Sequence, residues 1–435
     1  MATKIVVLDD DPTGNQTVHS CPLLTRWSSD ILATGLDARS PLLFILTNTR
    51  SLDSERAAAV TREICVNLKK VLTKRAESLL FVSRSDSTLR GHYPVETDVM
   101  AEMLGPFDAH FLVPAFFEGG RVTIDGVHYI REHERLVRTD QTEFARDSVF
   151  GYTTSYLPDY VEEKTHGRIK SADVVRIPIL PTVDAYLERI IPLAGNRCAA
   201  VDTQGYADLR LFAAAVMKAV DGGKRFLFRS GASILSALAA LPPQPIVPEE
   251  MFRLRRSDAP GVVIVGSHVQ KTTEQLEMLL REPGVAGVEV PVSRLPQEAG
   301  EIVREVGEEI EMAQSRDKCA AVYTSRSERV FPTAAERLQF GEAVSDVLVK
   351  VVQRLPISTS FLISKGGITS NDVLSKGLEL AVCNVVGQII PGCTLVTTPA
   401  VHRLGALPVV IFPGNVGGPE GLRRAYELLN TGRSS

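Results

Sequence analysis

The 435-residue chain holds six cysteines (Cys21, Cys65, Cys198, Cys319, Cys383 and Cys393) but no C-x-x-C pair. Thiols scattered in this way argue against a zinc site or a disulfide framework and are expected to be small buried hydrophobes. The eight histidines likewise lack metal-ligand spacing. His128 and His133 do not fall cleanly on one helix face, and read as ordinary polar residues. No apolar run approaches the roughly 20 residues of a membrane helix. Met1-Ala2-Thr3-Lys4 leads straight into a strand without the regions of a signal peptide, so the expectation is a cytoplasmic protein. A net charge of −4 without any basic block gives no reason to expect nucleic acid. There is no internal repeat, no Walker G-x-x-x-x-G-K-[ST] pattern, and no G-x-G-x-x-G after the first strand. A nicotinamide enzyme therefore fits worst.

A hydrophobic content of 44% with 23% charged residues suits a soluble chain of two or three domains. Short β-rich runs recur at 42–46, 79–82, 110–113, 199–201, 225–228, 262–265, 320–323, 361–363 and 409–412. Between them lie helical patterns. Ala57, Val60, Ile64, Leu68 and Val71 recur three or four apart behind the start signal Asp53-Ser54. Thr333 with Glu336 has capping-box spacing ahead of Phe340, Val344, Val347 and Val351. Strand alternating with helix predicts an α/β fold: two α/β/α lobes with mainly parallel sheets. Four prolines fall between Pro242 and Pro248, where neither a helix interior nor a central strand can run. The predicted division is residues 1–240, a proline-rich linker or hinge over 241–260, and residues 261–435. Such a hinge would let the lobes close and exclude water.

The most informative stretch is the first. The apolar run Ile5-Val6-Val7-Leu8 ends in Asp9-Asp10-Asp11-Pro12-Thr13-Gly14. Carboxyl ends of parallel strands are where open α/β sheets bind ligands. Three adjacent carboxylates repel one another, so their clustering points to a site handling a proton, a metal or a phosphoryl group. A second cluster, Ser83-Arg84-Ser85-Asp86-Ser87-Thr88-Leu89-Arg90-Gly91-His92, follows another apolar run. Its arginines can grip a carboxylate while Asp86 takes hydroxyls. Arg121, in Pro114-Ala115-Phe116-Phe117-Glu118-Gly119-Gly120-Arg121, adds a further cation.

The carboxyl-terminal half has three strand-to-helix junctions of one kind: Gly266-Ser267-His268, Ser364-Lys365-Gly366-Gly367-Ile368-Thr369-Ser370, and Gly414-Asn415-Val416-Gly417-Gly418. Glycines let backbone N–H groups approach an anion, and a helix N-terminus adds a favourable dipole. One terminus contributes only about 0.3–1 kcal/mol per charge, but three converging would hold a polyphosphate.

Taken in order, these motifs resemble the four-carbon acid sugar kinase family, which includes D-threonate, D-erythronate and 3-oxo-tetronate kinases. The resemblance is carried by Asp10-Asp11-Pro12-Thr13-Gly14, Asp86-Ser87-Thr88-Leu89-Arg90-Gly91, Pro114-Ala115-Phe116, Gly120-Arg121 and the three junctions, and covers nearly the whole chain. It implies an amino-terminal lobe for the sugar acid and a carboxyl-terminal lobe for ATP. Asp10, Asp11, Asp86 and Arg90 would then line the substrate site, with Arg84, Ser87 and Arg121 beside them. Ser267, Gly366, Gly367, Thr369, Gly414 and Gly417 would contact ATP. The chain resembles a divergent branch: Asp9 stands where the family usually has a small residue, Pro12 where it has an apolar one, and Arg84 where lysine is common.

The expected chemistry is transfer of the γ-phosphoryl group of ATP to a hydroxyl of a small sugar acid. Asp11 is the first candidate to accept the proton and Asp10 the second, with Mg2+ bridging the phosphates. The rival is a haloacid-dehalogenase-type phosphatase with Asp9 as nucleophile and Asp11 as acid/base, because Asp9-Asp10-Asp11-Pro12-Thr13 also fits D-x-D-x-T. A third class is a module that holds a nucleotide without turnover. A homodimer is the default expectation for such a chain.

Overall fold

A parallel strand covered on both faces needs apolar side chains at every position rather than at alternate ones. The computed structural model, which describes residues 3–73, 78–132, 135–326, 331, 333–414 and 416–431, is built on such strands. His133 and Asn415, both quoted above, lie outside the described residues. The chain divides into two compact units, Met1–Pro243 and Gln244–Ser435, and the division falls within the proline-rich run.

The amino-terminal unit contains β1 (Lys4–Asp9), β2 (Cys21–Leu24), β3 (Leu42–Leu46), β4 (Leu79–Arg84), β5 (Ala109–Val113), β6 (Arg121–Ile124), β7 (Val127–Glu132), β8 (Arg135–Arg138), β9 (Val175–Ile177), β10 (Arg197–Val201) and β11 (Phe226–Ser230). Eight of these pair in the order β2-β3-β1-β4-β11-β5-β10-β9, every pair parallel. Along β1, β3, β5 and β11 every residue is buried. Phe111 of β5 anchors the core against Phe212, Phe226 and Phe228.

The remaining three strands form a separate antiparallel sheet, β6-β7-β8. Its first turn is Asp125-Gly126, both at positive φ (51° and 77°), between paired Ile124 and Val127. This is the two-residue hairpin chemistry that Asp-Gly favours.

The carboxyl-terminal unit contains β12 (Val262–Val265), β13 (Val285–Val290), β14 (Cys319–Thr324), β15 (Leu362–Lys365), β16 (Val382–Ile390), β17 (Cys393–Thr397) and β18 (Pro408–Phe412). Their order is β13-β14-β12-β15-β18-β17-β16. The first five are parallel, and only β17 runs against its neighbours β18 and β16. The fold is thus the expected α/β class with mainly parallel sheets, and each of the nine apolar runs overlaps a strand.

Helix starts follow local chemistry. The Asp53 side chain accepts a bond from the Arg56 N–H and opens the helix Ser54–Leu72, which buries Ala57, Ile64 and Leu68 but leaves Val60 and Val71 half-buried. Thr333 accepts from the Glu336 N–H and opens the helix Ala334–Gln353. The second half of the proline-rich run is structured. Pro248–Leu254 coils into 3-10 turns and buries Met251 in the carboxyl-terminal core, while the Gln244 amide holds the backbone of Ile246 and Gln388. All six cysteines are buried thiols.

Candidate active site

Strands that run the same way end on the same edge of a sheet. Asp9 of β1 is level with Leu46 of β3 and Arg84 of β4, and Arg84 is level with Ser230 of β11. Four adjacent strand ends therefore gather residues 9–11, 47–50, 84–90 and Arg229.

Within this cluster the three acids have different surroundings. Asp9 is completely buried; one oxygen lies 3.2 Å from Arg84 Nη1, and the other has no partner among the described residues. Gly14 packs against it so closely that a Cβ there would lie 2.1 Å from both carboxylate oxygens. Burial, opposed by Arg84 and reinforced by Asp10 and Asp11, pushes the Asp9 pKa up to about 7.

Asp10 is also buried, but Arg50 grips it. Nη2 lies 2.5 Å from Oδ1 and Nε 3.2 Å from Oδ2, and the Ser85 hydroxyl donates to Oδ2 at 2.5 Å. Burial alone would raise its pKa; Arg50, with Arg229 and Arg84, outweighs that and holds it below the ordinary value.

Asp11 is the most open of the three, its side chain 21% exposed against 0% and 1% for the other two. One of its oxygens caps the Thr13 N–H at 2.8 Å and accepts from the Thr13 hydroxyl, while the other lies 3.4 Å from Arg50 Nη1. Of the three adjacent acids it is the one open to a ligand.

The second predicted cluster is brought to the same place. Arg90 Nε lies 2.6 Å from Asp86, the Thr88 hydroxyl bonds to the same carboxylate, and Arg90 also reaches Asp147 at 3.4 Å. Burial would raise the Asp86 pKa, but Arg50 and Arg90 drive it well below the usual carboxylate range. Arg121 is close enough for Asp86 and Arg90 to act on its charge; burial lowers its pKa, and among the described residues no carboxylate pairs with it. Its Nη1 donates to the Gly119 carbonyl and its buried Nε is unpartnered. Arg84 instead faces inward to Asp9.

The loop that carries Asp86 and Arg90 is fixed by a ladder on three consecutive carbonyls. His128 Nε2 donates to Ser87 O at 2.7 Å, Tyr152 to Thr88 O at 2.8 Å, and Tyr160 to Leu89 O at 2.8 Å. A carbonyl only accepts, so His128 carries its proton on Nε2 and accepts from the Thr123 hydroxyl on Nδ1, at 3.0 Å. Burial, assisted by Arg121 and opposed by the Ser87 bond, pushes the His128 pKa down to about 4.

Sequence reasoning missed Arg50, Glu96 and Arg229. Arg229 Nη1 lies 2.6 Å from Glu96, which also accepts from Thr49 at 2.6 Å, so the floor of the cluster is closed by a buried ion pair. Arg50 could have been found by asking which cation follows each buried strand, since it stands four residues after β3 ends.

In the carboxyl-terminal unit β12, β15 and β18 are adjacent, so the three glycine-rich junctions meet. A Cβ at Gly266 would lie 2.2 Å from Thr369 Oγ1, one at Gly366 would lie 3.2 Å from Ser267 Cβ, and one at Gly414 would lie 3.5 Å from Ser267 Oγ. Thr272 Oγ1 ties Ser267 Oγ (3.2 Å) to the Gly414 carbonyl (3.1 Å). Gln275 holds the carbonyls of Val416 and Gly418 on either side of Gly417, which has φ +80°. Gly367 opens the short helix Gly367–Asp372.

Lys365, at the end of β15, is wholly buried and donates to the carbonyls of Pro413 (2.5 Å) and Gly414 (3.1 Å). Burial, with Cys393 opposing and Lys271 assisting, pushes its pKa down to about 7. All six predicted phosphate-site residues thus belong to one set of adjoining loops. The described residues contain no group of three or more His, Cys, Asp or Glu arranged to hold a metal ion. They also contain no helix long and apolar enough to cross a membrane.

Two family models divide the chain between them. A sugar-binding N-terminal domain matches residues 5–238 and a nucleotide-binding C-terminal domain matches residues 262–422. The chain belongs to the four-carbon acid sugar kinase family.

Among its relatives, a D-erythronate kinase of Heliobacterium modesticaldum is 27% identical over 220 residues, covering 48% of this chain and 46% of that protein. A D-threonate kinase of Bordetella bronchiseptica is 25% identical over 225 residues, covering 47% and 53% respectively. The chain spans about half the length of the curated relatives it matches. A solved structure from Salmonella typhimurium LT2 superposes with a TM-score of 0.70 at 20% identity, covering 97% of this chain and 98% of that one. One from Haemophilus influenzae gives 0.65 at 17%, covering 98% and 100%. At these identities the two structures speak for the fold of this family alone.

Proposed function

We propose that the protein is an ATP-dependent kinase that phosphorylates a hydroxyl of a small sugar acid, of the four-carbon class that includes threonate, erythronate and 3-oxo-tetronate. The observation that carries this reading is the pairing of two different sites on one chain. One is a carboxylate–arginine cluster in the unit matched by a sugar-binding domain. The other is a set of three converging glycine-rich junctions in the unit matched by a nucleotide-binding domain.

Phosphoryl transfer asks a protein mainly for positioning and charge neutralisation. Asp11, the open acid, accepts the proton of the attacking hydroxyl. Asp10, held ionised by Arg50, fixes the electrostatics beside it. Asp86 takes substrate hydroxyls, and Arg121 with Arg90 takes the carboxylate. Ser267, Thr369 and the backbone of Gly366, Gly367, Gly414 and Gly417 hold the nucleotide phosphates. Mg2+ suits this arrangement as an ion carried by those phosphates, since it binds through few protein ligands and keeps its waters. The phosphatase alternative finds no support: its nucleophile would be Asp9, which has no exposed surface.

The test is ADP release from MgATP against a panel of three- to six-carbon aldonic and oxo acids, with Asp11→Asn in parallel. Acceptor-dependent ADP formation that falls by about 10²–10⁴ in the variant is the expected result. Release of phosphate from phosphorylated acids without ATP would overturn it.

A further inference from the structure

We propose that Arg326 is a phosphate-binding residue of the nucleotide site, the cation that faces the polyphosphate where β12 opens into its helix. This rests on the nucleotide reading of the carboxyl-terminal unit and names a residue outside the glycine-rich motifs that suggested it.

Arg326 follows β14, the neighbour of β12 on the side away from β15. Its Nη2 donates to the Ser267 carbonyl at 2.7 Å and to Thr273 Oγ1 at 3.0 Å, which places the guanidinium directly on the first junction. Its Nε and Nη1 are buried and have no hydrogen-bond partner among the described residues. Among those residues no carboxylate pairs with it either, whereas buried Arg84 and Arg229 each have one. Arg326 as a whole is half-buried, but its two covered donors are of the kind that is almost always satisfied. Among the described residues nothing accepts from Nε or Nη1, which point to different sides of the guanidinium, and an anion at this junction would accept from them.

The surroundings define the class of that anion. The helix Gln270–Leu280 begins beside Arg326 without a side-chain cap and with no acid in its first turn. Its first N–H groups and dipole thus favour the same negative charge. With Nη2 already used, the guanidinium offers its fixed charge and single N–H donors from Nε and Nη1 to phosphate oxygens. A nucleoside polyphosphate, with its charge concentrated in one chain, fits this arrangement better than a lone carboxylate.

Arg326→Gln keeps a donor for the Ser267 carbonyl and removes the charge. Binding of MgATP, of inorganic tripolyphosphate and of adenosine is measured by titration calorimetry on wild type and variant, with thermal midpoints as the fold control. The expected result is about a ten- to hundredfold loss for MgATP and tripolyphosphate, with adenosine affinity and midpoint unchanged. Arg326→Lys, which keeps the charge but not the fork, should recover part of the loss, and it decides the question if the Gln variant does not fold. Equal losses for adenosine and MgATP would mean that Arg326 only props the loop, and undiminished MgATP binding would mean it touches no phosphate; either overturns the proposal. A wild-type protein with no affinity for MgATP or tripolyphosphate would instead overturn the nucleotide reading itself.

Discussion

Asp9 and Arg84 are bonded to each other inside the amino-terminal unit, Nη1 to Oδ1 at 3.2 Å, with side chains 0% and 5% exposed. They stand level with each other at the ends of the neighbouring strands β1 and β4. Removing one member of a buried pair leaves the other charge without compensation, at a cost of about 3–5 kcal/mol, whereas replacing both by apolar groups can be nearly neutral. Above pH 7, where Asp9 is ionised, Asp9→Ala and Arg84→Met should therefore each destabilise strongly in urea unfolding, and the double variant should be less destabilised than the sum. Strict additivity would show that the two side chains are not energetically coupled.

The same buried acid gives a pH signature. Its folded pKa of about 7 lies above the ordinary 3.8, so between those values the native state holds a proton that the unfolded chain has lost. The stabilisation from that proton is complete below pH 3.8 and is lost as the pH rises through 7. Wild type minus Asp9→Asn stability should thus decline between about pH 4 and 7 and level off above it. The slope should not exceed one proton, about 1.4 kcal/mol per pH unit. A difference that is flat across that window would refute the raised pKa.

Arg50 acts in the opposite direction on Asp10, whose ionised form it stabilises against burial. In Arg50→Gln the Asp10 pKa should rise, moving the acidic limb of acceptor-dependent ADP formation to higher pH. The loss of rate should be about 10–100-fold near pH 6 and smaller at pH 8. A pH profile that keeps its shape while the rate falls uniformly would assign Arg50 to substrate binding instead.

Much of this arrangement was legible before the fold was known. The apolar runs were short and almost wholly hydrophobic because parallel strands covered on both faces leave few polar positions, and those of β1, β3, β4 and β11 lead into the residues that gather at the sheet edge. Asp10, Asp11, Asp86 and Arg90 could be named because acids and arginines directly after such runs have no structural need to be there. What was not legible depends on neighbours distant in sequence. Arg50, Glu96 and Arg229 come from three separate segments, and only strand order makes them one cluster. His128 looks ordinary in the sequence, yet the Asp125-Gly126 hairpin before it carries its ring to the Ser87 carbonyl. The strands β16 and β17 escaped notice because glycine and polar residues interrupt their apolar pattern.

The carbonyl ladder predicts an effect confined to the acid acceptor. Tyr160→Phe removes the bond to Leu89 O and leaves a buried carbonyl unsatisfied, a cost of about 1–3 kcal/mol. The Asp86–Arg90 loop should loosen, raising KM for the sugar acid several-fold while KM for MgATP stays constant. Equal changes in both constants would mean that the hydroxyl supports overall folding and not the loop.

Gly266 provides the matching test in the carboxyl-terminal unit. A Cβ there would lie 2.2 Å from Thr369 Oγ1 and 3.0 Å from Leu348 Cδ1, so alanine must push the second junction away from the first. Gly266→Ala should raise KM for MgATP about tenfold or more and leave KM for the sugar acid unchanged. Thr369→Ala removes the atom that alanine would strike, so the two changes share one space and should not add. If Gly266→Ala/Thr369→Ala binds MgATP better than Gly266→Ala alone, close approach of the two loops is what the nucleotide site requires. If the double variant is worse by the full effect of both, the glycine is needed for some other reason and the convergence of the junctions does not govern affinity.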